Sequence, residues 1–216
     1  MAKIVAISDT HSYHRKIAIP RCDILIHAGD ATWKGELDII EDLNKWFGEL
    51  KERGIVKDAI LFSAGNHDLC FQNSNRGKAL KLLTNCIYLE DSSVEIEGLI
   101  YYGSPWTPRF GSWAFMADRG EKIAKYWEKI NPNTDVLITH GPPYQILDKV
   151  YRTNDGVGCE ELKKVVKKLK PKAHIFGHIH EGYGQLLQDE ILYINAAICD
   201  EYYDPSEHEA VIIDIP

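Results

Sequence analysis

Eight side chains in this sequence carry chemistry by their types and spacing. They are Asp9 and His11 in Asp9-Thr10-His11, Asp30 in Gly29-Asp30, Asn66 and His67 in Gly65-Asn66-His67-Asp68, His140 in Thr139-His140-Gly141, and His178 with His180 in Gly177-His178-Ile179-His180. Carboxylate and amide oxygens mixed with imidazoles suit Mn²⁺, Mg²⁺, Fe or Zn²⁺. No thiolate stands beside them to favour a softer metal or a closed structural zinc site. Singly, each residue has an ordinary structural role. A buried histidine is commonly just hydrogen-bonded, Gly-Asn is a turn dipeptide, and Asp9 can cap a neighbouring segment. The set is different, because every motif follows a short apolar run.

Those runs are the elements that must position the side chains. Lys3–Ser8, Asp23–Ala28, Ala59–Ala64, Asp135–Ile138 and Ala173–Phe176 are bounded by turn signals and read as buried strands of a layered sheet. Open sheets bind ligands at the carboxyl ends of their strands, so five such ends converge on one metal site. Alternate residues of a strand share a face. If strand direction persists through the turns, Asp9 lies beside His11 and His178 beside His180. Val94–Ile96, Leu99–Gly103, Gly184–Leu187, Ile191–Asn195 and Ala210–Ile215 complete the expected strands. Helical periodicity marks Glu36–Arg53, Gly77–Leu83, Ala117–Ile130 and Glu160–Leu169, the last stopped by Pro171. This pattern implies an α/β chain with mixed sheets.

In order and spacing, the motifs resemble the calcineurin-like metallophosphoesterase superfamily, from Lys3 to about Asn195. Four segments are most similar to its metallophosphoesterase domain-containing branch: Gly103-Ser-Pro-Trp-Thr-Pro-Arg-Phe110, Thr139-His-Gly-Pro-Pro143, His178-Ile-His-Glu-Gly-Tyr-Gly184 and Ile194-Asn-Ala-Ala197. The resemblance implies a four-layer αββα sandwich of two mixed sheets flanked by helices. It implies two divalent ions, Mn²⁺ foremost with Mg²⁺, Fe or Zn²⁺ as alternatives. Asp9, His11, Asp30 and His180 would hold the first, and Asn66, His140, His178 and a shared Asp30 the second. Some members of that branch carry Gly where this chain has His178, so the histidine here implies a full second set.

The expected reaction is phosphodiester hydrolysis by in-line attack of a metal-bridging hydroxide, with small phosphodiesters, including cyclic nucleotides, as substrates. His67, not assigned to a metal, is the candidate general acid, and Asp68 is the carboxylate within sequence reach to orient it. Arg109 is a candidate phosphate partner. His14, Asn75 and Arg76 are candidates for the site rim. His27 and His174 lie in strands and read as structural. The aromatic stretch Trp106–Phe115 and Tyr144 offer rings that stack on a base or pack a core edge. The 146–158 segment, with Gly156 and Gly158, reads as a long functional loop.

Two other enzymes and a non-enzyme compete with this reading. The superfamily's serine/threonine phosphatases carry Arg shortly after Gly-Asp; here Ala31-Thr32-Trp33-Lys34 follows, a departure that counts against a phosphomonoesterase or protein phosphatase. A nuclease needs a basic stripe. A non-catalytic scaffold of the same fold would have shed ligands or the acid, and this chain keeps them. Gly156-Val-Gly158 lacks the third glycine of a dinucleotide turn, and His180-Glu181 does not continue into HExxH.

Bulk composition agrees. The 216 residues read as one domain over 1–216, with 44% hydrophobic and 26% charged residues. A net charge of −7 argues against bulk nucleic acid or an anionic membrane face as partner, though not against a phosphoester. Five scattered cysteines without a CxxC read as reduced thiols of a cytoplasmic protein. The N-terminal apolar stretch reads as a first strand and no signal peptide, and no run is long enough to span a membrane.

Overall fold

The computed structural model describes residues 2–151 and 153–215. Its elements are β1 (Ala2–Ile7), β2 (Cys22–His27), α1 (Leu37–Glu52), β3 (Val56–Phe62), α2 (Arg76–Leu82), β4 (Ile87–Tyr88), β5 (Ser92–Ile96), β6 (Leu99–Ser104), β7 (Thr107–Pro108), β8 (Met116–Ala117), α3 (Glu121–Trp127), β9 (Val136–Thr139), α4 (Glu160–Leu169), β10 (Ala173–Phe176), β11 (Gly184–Gln188), β12 (Ile191–Asn195) and β13 (Val211–Ile215). One sheet runs β13-β1-β2-β3-β4 and a second runs β11-β12-β10-β9-β6-β5. Both are mixed: β1, β2 and β3 pair in parallel, as do β6, β9, β10 and β12, while β13, β5 and β11 pair antiparallel.

Strand alternation divides the core into layers. Ile4, Ala6, Ile24, Ile26 and Leu61 on one sheet pack with Tyr101, Val136, Ile138, Ile175 and Ile194 on the other. The opposite side chains of the first sheet, Val5, Ile7, Leu25, Ile60 and Phe62, pack under the α1 stripe Ile40, Leu43, Trp46, Phe47 and Leu50. Those of the second, Leu137, Phe176 and Tyr193, meet Ile123 and Trp127 of α3 and Leu162 and Val166 of α4. The result is helix, sheet, sheet, helix, the expected αββα order.

One boundary moved, and three short strands were added, for local reasons. The helix expected over Ala117–Ile130 begins only at Glu121, because Met116–Ala117 pairs with Thr107–Pro108 and Gly120 (φ 77°) must turn the chain first. The short strands β4, β7 and β8 are two residues each and leave no periodicity to read. Past β1 the sheets touch: Ser8 N–H donates to the Ala196 carbonyl at 2.8 Å, and Ile198 N–H donates to the Ser8 carbonyl at 2.9 Å. Among the described residues no helix is long and apolar enough to cross a membrane.

Candidate metal centre

The five strand ends deliver their side chains to this meeting point. Ligand atoms of Asp9, His11 and His180 lie within 4.8 Å of one another, as do those of Asp30, His140 and His178. His11, Asp30 and His67 meet the same limit and join the two groups. Asn66 Oδ1 is 2.9 Å and Asp30 Oδ2 3.3 Å from His140 Nε2, while Asp9 Oδ1 is 3.4 Å from His180 Nε2.

Main-chain carbonyls fix the imidazoles. His11 Nδ1 lies 3.3 Å from the Thr32 carbonyl, His140 Nδ1 3.0 Å from that of Ala28, and His180 Nδ1 2.8 Å from that of Asp200. A carbonyl only accepts, so each Nδ1 carries its hydrogen and each Nε2 faces the cluster, as in metal-binding histidines. Asp9 Oδ1 and His11 Nε2 are buried and make no hydrogen bond among the described residues. Such groups are costly to bury unless a cation satisfies them. The donor set therefore fits divalent metal ions.

The charges are strongly coupled. Burial alone would depress His140 and His180, but Asp30 facing the first and Asp9 facing the second raise both to about 9. Burial works to raise the two carboxyls. The same partners outweigh it and hold Asp9 and Asp30 well below the usual carboxylate range. Burial lowers His11 to about 4 and His178 to about 3, leaving both neutral and ready to ligate.

Four cluster residues have left-handed backbones. Asp9, His11, Asp30 and His178 have φ of 52°, 38°, 55° and 70°, a region that costs a non-glycine residue of order 1–3 kcal/mol. Simple strand alternation is therefore not what aims these side chains. His178 turns to Asp30 and His140, while His180, opening a 3₁₀ turn, goes to Asp9 and His11. At Gly177 a Cβ would run into the Asp9 carboxylate and the Ser8 side chain, so glycine is needed for the approach.

The calcineurin-like phosphoesterase family profile matches residues 2–182, from β1 through the last of these histidines. This chain belongs to that family. Among its relatives, human metallophosphoesterase domain-containing protein 1 is 39% identical over 99% of this chain and 71% of its own length. A Caenorhabditis elegans UPF0046 protein is 38% identical over 99% of this chain and 81% of its own. The solved Thermus thermophilus protein TT1561 shares the fold, with a TM-score of 0.57 at 13% identity over 90% of this chain and 88% of that one.

In this family member, a cavity of about 480 Å³ opens onto Asp30, Asn66, His67, His178 and His180. Pro108, Phe110, Trp113, Val150 and Val157 give it apolar lining, and Tyr203, Arg109, Arg119 and Glu181 line it too. His67 Nδ1 is 2.7 Å from the Trp33 carbonyl, and its ring stacks on Trp113 at 4.2 Å. Phe110 lies 5.1 Å from His178, whereas Trp106 stacks on Tyr126 at 3.6 Å as a core-edge ring. Tyr144 lies under the Lys163 ammonium, away from the cavity.

Several expectations need correction. Asp68 does not orient His67, whose partner is the Trp33 carbonyl. Its wholly buried carboxylate accepts from the amides of Gly65, Ala31 and Thr32 and from the Thr32 hydroxyl, so it positions the loops after β2 and β3. His14 is buried, 3.0 Å from Asp42 and packed on Trp46, and never reaches the rim. Arg76 pairs with Glu90 and the Phe71 carbonyl, and Asn75 sits at the start of α2; neither lines the cavity. Arg109 does line it, paired with Asp118 at 2.6 Å. His27 and His174 are buried on threonine hydroxyls, as structural residues are. Tyr203, Arg119 and the Trp33 and Asp200 carbonyls were not foreseen.

Proposed function

We propose that the chain is a dinuclear metal-dependent phosphodiesterase acting on small phosphodiesters, cyclic nucleotides among them. The observation that carries this reading is the pair of Asp/His clusters at the floor of a cavity with apolar walls. Asp9, His11, Asp30 and His180 would hold one cation, and Asp30, Asn66, His140 and His178 the other, with Mn²⁺ the foremost candidate. When bound, the cations supply positive charge for a phosphoryl group and an activated water.

The chain's own residues do the rest. The Trp33 carbonyl accepts from His67 Nδ1 and the Trp113 ring stacks on the imidazole, so the ring is held and Nε2 is the atom left for proton transfer to the leaving oxygen. The His67 amide donates to Asp30 Oδ1 at 2.7 Å, which ties the acid's backbone to the shared carboxylate. Phe110, Trp113, Val150 and Val157 offer surface for an ester substituent. Arg109 and Arg119 are already paired with Asp118 and Glu160, so the rim offers little to the second charge of a monoester. That favours a diester over a phosphomonoester. Free thiols at all five cysteines suit a cytoplasmic setting, and the net charge of −7 suits a small substrate better than bulk nucleic acid.

The test is to strip the protein of metal, restore Mn²⁺, and assay bis-p-nitrophenyl phosphate beside p-nitrophenyl phosphate, with His67→Ala as control. Metal-dependent diester turnover that collapses in the variant is expected. Preference for the monoester, or no turnover with two ions bound, would overturn the reading.

A further inference from the structure

Beyond β12 the chain passes the metal cluster and folds into a tight turn at 199–204. Asp200 builds it. Its Oδ1 accepts from the amides of Tyr202 (2.9 Å) and Asp204 (2.8 Å), and its own amide donates to the Asp204 carbonyl at 3.0 Å. Its carbonyl does two jobs at once, accepting from His180 Nδ1 at 2.8 Å and from the Tyr203 amide at 2.9 Å. One residue thus orients a cluster histidine and fixes the tyrosine three places on.

The turn sorts two adjacent tyrosines. Tyr202 is 81% exposed, whereas Tyr203, with φ at 64°, is 38% exposed and turned to the site. A left-handed backbone is unusual for a bulky aromatic residue and is kept where the surroundings impose it. The Tyr203 ring lies 4.9 Å from the His11 ring and 5.1 Å from that of His180, both near perpendicular, and 5.0 Å from Trp33. It lines the cavity beside the first cluster. Its phenolic O–H is a hydrogen-bond donor.

We infer that Tyr203 is a substrate-contacting residue whose phenol donates a hydrogen bond to a phosphoryl oxygen bound over Asp9, His11 and His180, with Asp200 as its positioning residue. This rests on the metal-site reading above and adds a specific donor to it. A donor placed where anionic charge gathers binds phosphate and its transition state more tightly.

Tyr203→Phe removes only the oxygen and keeps the ring on His11 and His180. The probe is inorganic phosphate, titrated by calorimetry into Mn²⁺-loaded parent and variant, with metal content and diester kinetics measured alongside. Phosphate affinity in the variant is expected to fall about tenfold at unchanged metal content, the scale of one hydrogen bond to a charged group. Where the parent turns over diester, kcat/KM should fall by a similar factor. A weakened phosphate affinity without turnover in the parent would support the contact while sinking the hydrolase reading. Equal phosphate affinity in parent and variant would overturn the inference alone. Loss of metal from the variant would overturn it too, by making Tyr203 a support of the cluster. A Mn²⁺-loaded parent that does not bind phosphate would sink both.

Discussion

Replacing Asp68 with alanine tests whether one buried carboxylate holds the two loops that carry Asp30 and Asn66. Asp68 Oδ2 accepts from Gly65 N–H at 2.9 Å and Ala31 N–H at 3.3 Å, and Oδ1 from Thr32 N–H at 3.0 Å and the Thr32 hydroxyl at 2.8 Å. Alanine strands three main-chain donors in the interior. At about 1–3 kcal/mol each, the loss sums to about 3–9 kcal/mol. Deleting a buried charge offsets part of that, because burial and the nearby Asp30 charge already raise the Asp68 carboxyl to about 6. The expected net cost is about 3–5 kcal/mol, in line with removing one partner of a buried charged network. A domain is stable by only about 5–15 kcal/mol, so the variant should melt roughly 10 °C lower. Asp68→Asn keeps one oxygen, enough for either the Thr32 pair or the Gly65 and Ala31 pair, and should lose about half as much. Urea unfolding of metal-free protein gives the energy, and Mn²⁺ calorimetry reports whether the loosened loops weaken ion binding. Stability within about 1 kcal/mol of the parent, with Mn²⁺ binding intact, would refute this account.

Metal binding should be pH-dependent. Without a cation, His140 and His180 hold protons up to about pH 9, so ions must displace them and apparent affinity should climb as pH rises towards 9. Calorimetry in buffers of different ionisation enthalpy would count the protons released. The same raised values make the metal-free fold gain stability that is full below the ordinary histidine pKa of 6.5 and lost as pH rises through about 9. Thermal melts across that window should show it, and a flat profile would argue against protonated His–Asp pairs. Arg119→Ala removes the donors to the Val157 and Gly158 carbonyls, so KM for a diester should rise several-fold with kcat little changed. His14→Ala should cost about 1–3 kcal/mol through lost packing on Trp46 and leave diester kcat unchanged, because the ring lies away from the cavity.

The layered fold was legible because the apolar runs are long enough to show alternation and the helices show a clear stripe. Each expected strand has a counterpart, and Glu160–Leu169 matches α4 end to end. The cluster residues were legible for a related reason: each sits where a strand stops, and parallel strands stop on one side of the sheet. What could not be read was direction. Left-handed backbones at Asp9, His11, Asp30 and His178 re-aim side chains that alternation would have sent elsewhere. Nor does a sequence show that a carbonyl such as that of Trp33, rather than the neighbouring Asp68, will meet His67. His14 and Arg76 looked close to the site along the chain, but distance along a loop says little about distance in space. Tyr203, just past the last motif segment, belongs to none of them and arrives because the turn at Asp200 folds it back.

The seam at Ser8 and Ala196 lies beside clusters that draw on both sheets. Asp9, His11 and Asp30 come from the β1 and β2 ends of one sheet; His140, His178 and His180 come from the β9 and β10 ends of the other. Neither cluster can be assembled from a single sheet. A cation held in either would act as a clasp across the interface, and prising the sheets apart would release it. Ion occupancy and global opening would then be linked. At a free concentration one hundred times its dissociation constant, each ion would add about 2.7 kcal/mol to the work of separating the halves. The chain's resistance to heat or proteolysis would in that case report the metal supply around it.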